Sequence, residues 1–553
     1  MENYELFLKP GMAAVLGPPG TGKTTFLKNL LQYYAEHYDI NKVIITSFSR
    51  NAAKELKGRI QEISEQNIGT LHSFAYAALQ HPKLVETKMH EWNEKNPNMS
   101  IAKMTNGEIN TQGEKLLNKL DILRAKLVPK DEWPKDIIYF EKKWTEFKFE
   151  TQTMDFTDLI EGALKNTTTH YARPNLIICD ESQDSTPLQL QLLTHWGKGI
   201  SHGLIFAADD DQSIYEFNGV NVNYFLNNII NHCNYSIILP QSYRVPFKAK
   251  RLADKIINNV KNKVEKEYLP KKDENGEIIE GEVKKINFTY NQPEKLFQII
   301  NREAENNSIV ILGSCGYMLN KTITYMKNNG IPFYNPYKVE QKNWNPLYSS
   351  KAEYFNDERN SEITTTEIVI SFLNSSTDDS WHIDDLLIWA KNVKVGKNSL
   401  KRIKGNKGIK MLEEQYNSLS EEDKLSSFEI IHQIFEEAAI QPILTRDLDW
   451  LRENIKGQRK DPLIYIYRVL NKYGKEGLIK SPKIIISTIH GFKGNEADVV
   501  FLFPDISPQT AKESYKRVEM DALRRLFYVA TTRTKKKLFI TKPATNTFFK
   551  ELS

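Results

Sequence analysis

Three features of the 553-residue sequence predict an α/β protein built as two parallel-sheet domains, each interrupted by a mainly helical insertion. Short β-branched runs alternate with helical patterns, a glycine-rich G-x-x-x-x-G-K-T signature follows the first run, and two long stretches break the alternation without strand-like runs. A chain this long exceeds what one hydrophobic core supports, so several domains of about 100 to 200 residues each are expected.

The strand-like runs are Met12–Leu16, Val43–Thr46, Leu176–Cys179, Leu204–Ala207, Ile309–Leu312, Ile484–Ser487 and Val499–Leu502. Most are apolar without polar alternation, the pattern of strands covered on both faces, as in parallel sheets. Helical patterns at Thr24–Tyr34, Ala52–Ile63, Pro246–Asn259 and Ala522–Thr531 lie between them. The interruptions, roughly 76–159 and 341–481, are rich in Lys, Glu, Asn and Trp. Apolar helical faces such as Leu386, Leu387, Trp389 and Ala390, or Phe428, Ile431, Ile434 and Phe435, argue for helical insertions rather than disordered loops. The expected division is 1–75 with 160–235 for the first sheet domain and 76–159 for its insertion. The second sheet domain takes 236–340 with 482–553, and its insertion takes 341–481.

Composition excludes several classes. With 40% hydrophobic and 26% charged residues the chain is an ordinary globular one. Its 75 basic residues nearly match its 70 acidic ones, so charge alone does not diagnose a polyanionic partner. Cys179, Cys233 and Cys315 lie far apart and form no C-x-x-C pair, which argues against a zinc site or a disulfide framework. The amino terminus has no basic region followed by an apolar core, and no run of 18 apolar residues occurs. A cytoplasmic protein that neither spans a membrane nor is exported is expected.

The run Gly17-Pro18-Pro19-Gly20-Thr21-Gly22-Lys23-Thr24 follows a strand and opens a helix, as a phosphate-binding loop requires. Its glycines let backbone N–H groups curl around a β-phosphate, and the helix dipole favours the anion. Lys23 is expected to bridge β- and γ-oxygens, Thr24 to ligate Mg²⁺, and Thr25 to complete the nucleotide site. The run Ile177-Ile178-Cys179 leads into Asp180 and Glu181 at the edge of the same sheet. Asp180 then suits Mg²⁺, and Glu181 suits orienting and deprotonating an attacking water.

With Ser182, Gln183 and Asp184 the acidic motif reads D-E-S-Q-D, which resembles motif II of the UvrD/Rep/PcrA-like superfamily 1A DNA helicases. Further resemblances follow in order. Thr46-Ser47-Phe48-Ser49 with Ala52-Ala53 is similar to motif Ia, and Gly69-Thr70-Leu71-His72-Ser73-Phe74 to motif Ib. Asp209-Asp210-Asp211-Gln212-Ser213-Ile214-Tyr215 is similar to motif III, and Gln241-Ser242-Tyr243-Arg244 to motif IV. The segment from Thr488 to Glu496, T-I-H-G-F-K-G-N-E, resembles motif V, and Arg524 to Arg533, R-R-L-F-Y-V-A-T-T-R, resembles motif VI.

The resemblance implies two RecA-like P-loop domains, 1A and 2A, with insertions 1B and 2B, and ATP and Mg²⁺ in the cleft. It implies single-stranded and tailed duplex DNA as partners, and translocation with 3′ to 5′ unwinding. Gln212 would sense the γ-phosphate, and Arg244 and Arg533 would reach the charge that builds there when the cleft closes. Tyr243 would stack on the base, with Glu496 near the ribose. Phe48, His72, Tyr215, Phe217 and His490 are the expected DNA contacts, aromatic faces being tolerant of any base. The chain departs from the family pattern in places. Its first glutamine is Gln32, so no Gln precedes the loop to read adenine, and use of other NTPs is expected. Phe217 stands where Trp is common, and Asn218 where Arg is usual. Two alternatives stay open: an NTP-dependent nucleic-acid-binding switch without unwinding, and an RNA-directed motor.

Overall fold

The structure, a computed structural model, describes residues 4–47, 63–102, 111–167, 170, 172–335, 344–349, 363–374, 381–401, 407–410, 413–414, 428–457, 460–513 and 517–552. The helix expected at 52–63 lies outside these residues except for its last position.

The first sheet contains β1 (Met12–Leu16), β2 (Val43–Ser47), β3 (Ile68–Thr70), β4 (Leu176–Asp180), β5 (Leu204–Ala208) and β6 (Tyr235–Ile238) in the order β3-β2-β4-β5-β1-β6. The second contains β7 (Glu282–Ile286), β8 (Ile309–Gly313), β9 (Ile484–Thr488), β10 (Ala497–Leu502) and β11 (Thr534–Thr541) in the order β7-β11-β10-β8-β9. All pairings are parallel.

Successive strand side chains point to opposite faces, so an unbroken apolar run must feed two cores. In the first sheet, Ile177, Cys179, Leu204 and Phe206 enter one core. Their neighbours Leu176, Ile178, Ile205 and Ala207 enter the other. The second sheet repeats this, with Ile309, Ile311, Val499 and Phe501 on one side and Val310, Leu312, Val500 and Leu502 on the other. The boundary expected at 235/236 falls inside β6. That strand pairs with β1 from Ala13↔Tyr235 to Leu16↔Ile238, so the first sheet extends to Ile238.

Among the described residues neither interruption contributes a strand to a sheet. The first has its own aromatic core around Trp92, Trp133, Phe140, Trp144 and Phe147. It is anchored by a buried ion cluster in which Arg124 and Lys148 hold Asp155 and Asp158. The second shares one continuous core with the second sheet, running from Ile309 and Phe501 to Trp381, Trp389 and Trp450. Its helix Lys460–Tyr473 closes the contact, Tyr465 Oη donating to the Ile331 carbonyl at 2.7 Å. Among the described residues no helix is long and apolar enough to cross a membrane.

Candidate functional site

The carboxyl edge of the first sheet carries β1, β5 and β4 side by side. Gly17 N–H donates to the Ala208 carbonyl at 2.9 Å, which starts the loop from that edge. Gly20 and Gly22 have φ of +73° and +82°, conformations that side chains disfavour. A Cβ on Gly20 would also stand 2.4 Å from Arg244 Cβ and 3.0 Å from Ser242 Oγ. The bare glycine therefore lets residues 242–244 lie directly on the loop: Tyr243 N–H donates to the Gly20 carbonyl at 2.8 Å and Ser242 Oγ to the Pro19 carbonyl at 2.7 Å. Thr21 Oγ1 braces the turn by donating to the Pro18 carbonyl at 2.8 Å. Lys23 opens the helix Lys23–His37, followed by Thr24 and Thr25 in its first turn, where backbone N–H groups favour an anion. Its Nζ donates to the Gly17 carbonyl at 2.9 Å and lies 4.0 Å from Glu181.

β4 delivers Asp180 to the same edge, and Glu181 follows with φ of +51°, a left-handed backbone that a non-glycine residue adopts at some cost. Burial opposes ionisation of Glu181, but the charges of Lys23 and Lys493, the Gln183 amide and Arg533 outweigh it and hold the pKa below the usual carboxylate value. An ionised, oriented carboxylate beside the loop can accept a hydrogen bond from a water. Asp184 differs: burial pushes it up to about 7, although Lys493 Nζ lies 2.5 Å away.

β5 leads into the buried run Asp209 to Gln212. Asp209 Oδ2 accepts from Gln212 Nε2 at 2.7 Å, which turns Gln212 Oε1 to accept from Arg533 Nη2 at 2.7 Å. Arg533 belongs to the second lobe, between the helix Arg517–Thr531 and β11, and is 1% exposed. Burial first, then the neighbouring charge of Arg244, lowers its pKa to about 9. Arg244 Nε pairs with Glu496 Oε2 at 2.5 Å. Two guanidinium groups close enough to repel each other make a place where an added anion is favoured. The second lobe also grips this loop through Lys493 Nζ, which donates to the Gln212 carbonyl at 2.6 Å, and Arg525 Nε, which donates to that of Asp210 at 3.1 Å.

Tyr243 is 71% exposed, and its ring edge comes 3.9 Å from the Cβ position of Gly22. Farther along the junction, Phe217 meets His490 edge-on at 5.2 Å, and Tyr215 Oη donates to the His490 carbonyl at 3.2 Å. Phe217 is 57% exposed. Burial lowers the His490 pKa to about 4, so its ring is neutral. His72 lies apart on the helix Leu71–Ala78, edge-on to Phe156 at 6.0 Å. Phe48 lies outside the described residues.

Lys493 and Arg525 lie inside the fifth and sixth motifs and Lys266 in none, and only burial against acidic or carbonyl groups distant in the chain distinguishes the three. In the second lobe Lys535 and Lys536 pair with Asp498, and Lys537 with Glu303 at 3.0 Å.

A phosphate loop on one sheet, faced by the guanidinium groups of Arg244 and Arg533 and joined to a second lobe by the Arg533–Gln212 hydrogen bond, defines a two-lobed P-loop nucleotide-binding protein. Residues 6–232 match the model of the UvrD/REP helicase N-terminal domain, and residues 365–545 that of the UvrD-like helicase C-terminal domain. The chain is 23% identical to the ATP-dependent DNA helicase Rep of Buchnera aphidicola subsp. Schizaphis graminum, over 96% of this chain and 91% of that protein. It is 29% identical to the ATP-dependent DNA helicase SRS2 of Saccharomyces cerevisiae over 42% of this chain, spanning 24% of that protein. It is 24% identical to the ATP-dependent DNA helicase PcrA of Bacillus subtilis over 48% of this chain and 40% of that protein. The chain belongs to the UvrD/Rep/PcrA-like superfamily 1A helicases, and its two parallel sheets are the RecA-like pair of that family.

Proposed function

We propose that this protein hydrolyses ATP to move along single-stranded DNA with 3′ to 5′ polarity and unwinds tailed duplexes. The observation that carries this reading is the hydrogen bond from Arg533 of the second lobe to Gln212 of the first, beside the loop that holds Lys23. Hydrolysis needs charge neutralised on the γ-phosphoryl oxygens, and guanidinium groups supplied across a cleft make that neutralisation depend on closure. Glu181 orients the attacking water and takes its proton, while Lys23, Arg244 and Arg533 stabilise the transferring phosphoryl group. Thr24 and Asp180, two hard oxygen donors beside the loop, would hold Mg²⁺, which would supply neutralisation of phosphate charge there.

Base stacking on exposed Tyr243 selects for no particular base, so other NTPs are also substrates. Phe217, with His490 and Tyr215 behind it, forms the DNA stacking platform at the junction of the lobes, where opening and closing of the cleft changes grip on the strand. Displacement assays on duplexes bearing 3′ or 5′ tails test the proposal. Unwinding of the 3′-tailed substrate is expected; none from either tail would leave a nucleic-acid-binding switch, and greater stimulation by single-stranded RNA would redirect the motor. Hydrolysis of ATP, GTP, CTP and UTP at equal concentration tests nucleotide choice, a strong preference for ATP overturning the stacking argument.

A further inference from the structure

Asp209, Asp210 and Asp211, which lead to Gln212, are buried at 0%, 0% and 3% exposure. Three adjacent carboxylates need cations to remain out of water. Lys266 answers them from a distant part of the chain. Its side chain is 2% exposed, and its Nζ lies 3.3 Å from Asp209 Oδ1 and 2.9 Å from Asp211 Oδ2, and donates to Asp210 Oδ1. Val264 N–H donates to the other Asp210 oxygen at 3.0 Å.

The stretch bearing Lys266 is laced to residues 240–245. Leu269 N–H donates to the Pro240 carbonyl at 2.7 Å, Ser242 N–H to that of Leu269 at 2.9 Å, and Lys271 N–H to that of Val245 at 2.8 Å. This is the segment that lays Tyr243 and Arg244 on the phosphate loop. Asp209 stands between the two systems: Oδ1 faces Lys266 while Oδ2 holds the Gln212 amide. Backbone hydrogen bonds tie the Arg244 segment to Leu269 and Lys271, the chain carries on to Lys266, and polar contacts then run through Asp209 and Gln212 to Arg533.

We propose that Lys266 is a positioning residue for nucleotide hydrolysis, binding the Gln212 loop to the Arg244 segment so that both meet the γ-phosphate in one geometry. The inference rests on the hydrolytic function proposed above. An ammonium group is a compact charge with three donors, suited to three converging carboxylates. Without it the aspartates repel one another, Asp209 turns, and Gln212 loses its orientation. The loop at Lys23 and the Tyr243 ring, which bind nucleotide, stay in place. Turnover then falls while binding does not.

The test compares Lys266→Met, Lys266→Gln and Lys266→Arg with the wild-type full chain. It reads kcat and KM for single-stranded-DNA-stimulated ATP hydrolysis, affinity for a fluorescent ATP analogue, and the thermal midpoint. The expected result for Lys266→Met is a kcat lowered about tenfold or more, with KM and analogue affinity within about threefold, since one tenfold step corresponds to a modest change in transition-state stabilisation. Lys266→Arg, retaining the charge, should recover most of the turnover. Lys266→Gln, which keeps hydrogen-bonding capacity without an apolar gap, is read in the same way if the methionine variant does not fold. Wild-type kcat in a folded neutral variant overturns the inference, as does a loss of kcat matched by an equal loss of nucleotide affinity. An inactive wild-type chain overturns the proposed hydrolysis instead, so the two failures are distinguishable.

Discussion

Replacing Arg533 with methionine tests the link between the lobes most directly. The change removes the Nη2 donor to Gln212 Oε1 at 2.7 Å and the Nε donor to the Val529 carbonyl at 3.0 Å, while preserving much of the side-chain volume. Two effects separate by size. Leaving a buried acceptor unpaired costs about 1 to 3 kcal/mol, partly offset because a charge no longer has to be buried. Loss of a guanidinium that stabilises a phosphoryl transition state costs about 10³-fold in turnover or more, or about 4 kcal/mol. The expected outcome is thus a folded protein with a modestly lowered midpoint and nearly abolished hydrolysis. Phosphate release at saturating ATP and single-stranded DNA is the assay, with thermal unfolding measured on the same samples. Turnover within about tenfold of wild type would refute the reasoning, since a residue reporting only on packing has no large effect on kcat. Arg533→Lys sharpens the comparison: it keeps the charge but loses the planar fork, so it should recover only a small part of the rate.

Lys23→Ala should abolish DNA-stimulated hydrolysis while leaving single-stranded DNA affinity, read by fluorescence anisotropy, largely intact; undiminished turnover contradicts the assignment of the loop. Phe217→Ala should weaken single-stranded DNA binding by about 1 to 3 kcal/mol with an unchanged salt slope, because it removes a stack and no phosphate contact. Arg124→Ala strips Asp155, Asp158 and Glu161 of a shared partner and should cost about 3 to 5 kcal/mol of stability, measured by denaturant unfolding. His170 is 0% exposed, and burial lowers its pKa to about 4, with Nδ1 accepting from Ala172 N–H at 3.1 Å. The unfolded chain therefore binds a proton that the fold does not, and stability should fall as pH drops below the unfolded value. Between pH 7 and 5 this contribution is about 2 kcal/mol, and His170→Phe should remove that part of the acid sensitivity.

Much of this architecture is written locally, and the exceptions show why some is not. Strands with continuous apolar runs were legible because both faces meet a core. β7, with the sequence Glu-Val-Lys-Lys-Ile, and β11, which opens Thr-Lys-Lys-Lys, were missed since lysines at an edge or strand end read as loop until a neighbour and ion-pair partners are known. β6 was lost to a boundary placed one residue into it, because four residues on a sheet edge carry too little periodicity to mark a strand.

By itself the sequence determined the sheet domains, the phosphate loop, the acidic pair at Asp180 and Glu181, and the order of the motifs, since each depends on residues adjacent in the chain. Tertiary structure alone decided that Arg533 reaches Gln212, that Arg244 rests on Glu496 and that Lys266 sits among three aspartates. The physical reason is burial. A charged side chain removed from water must find its partner wherever the fold brings one, and those partners lie 321, 252 and 55 to 57 positions away.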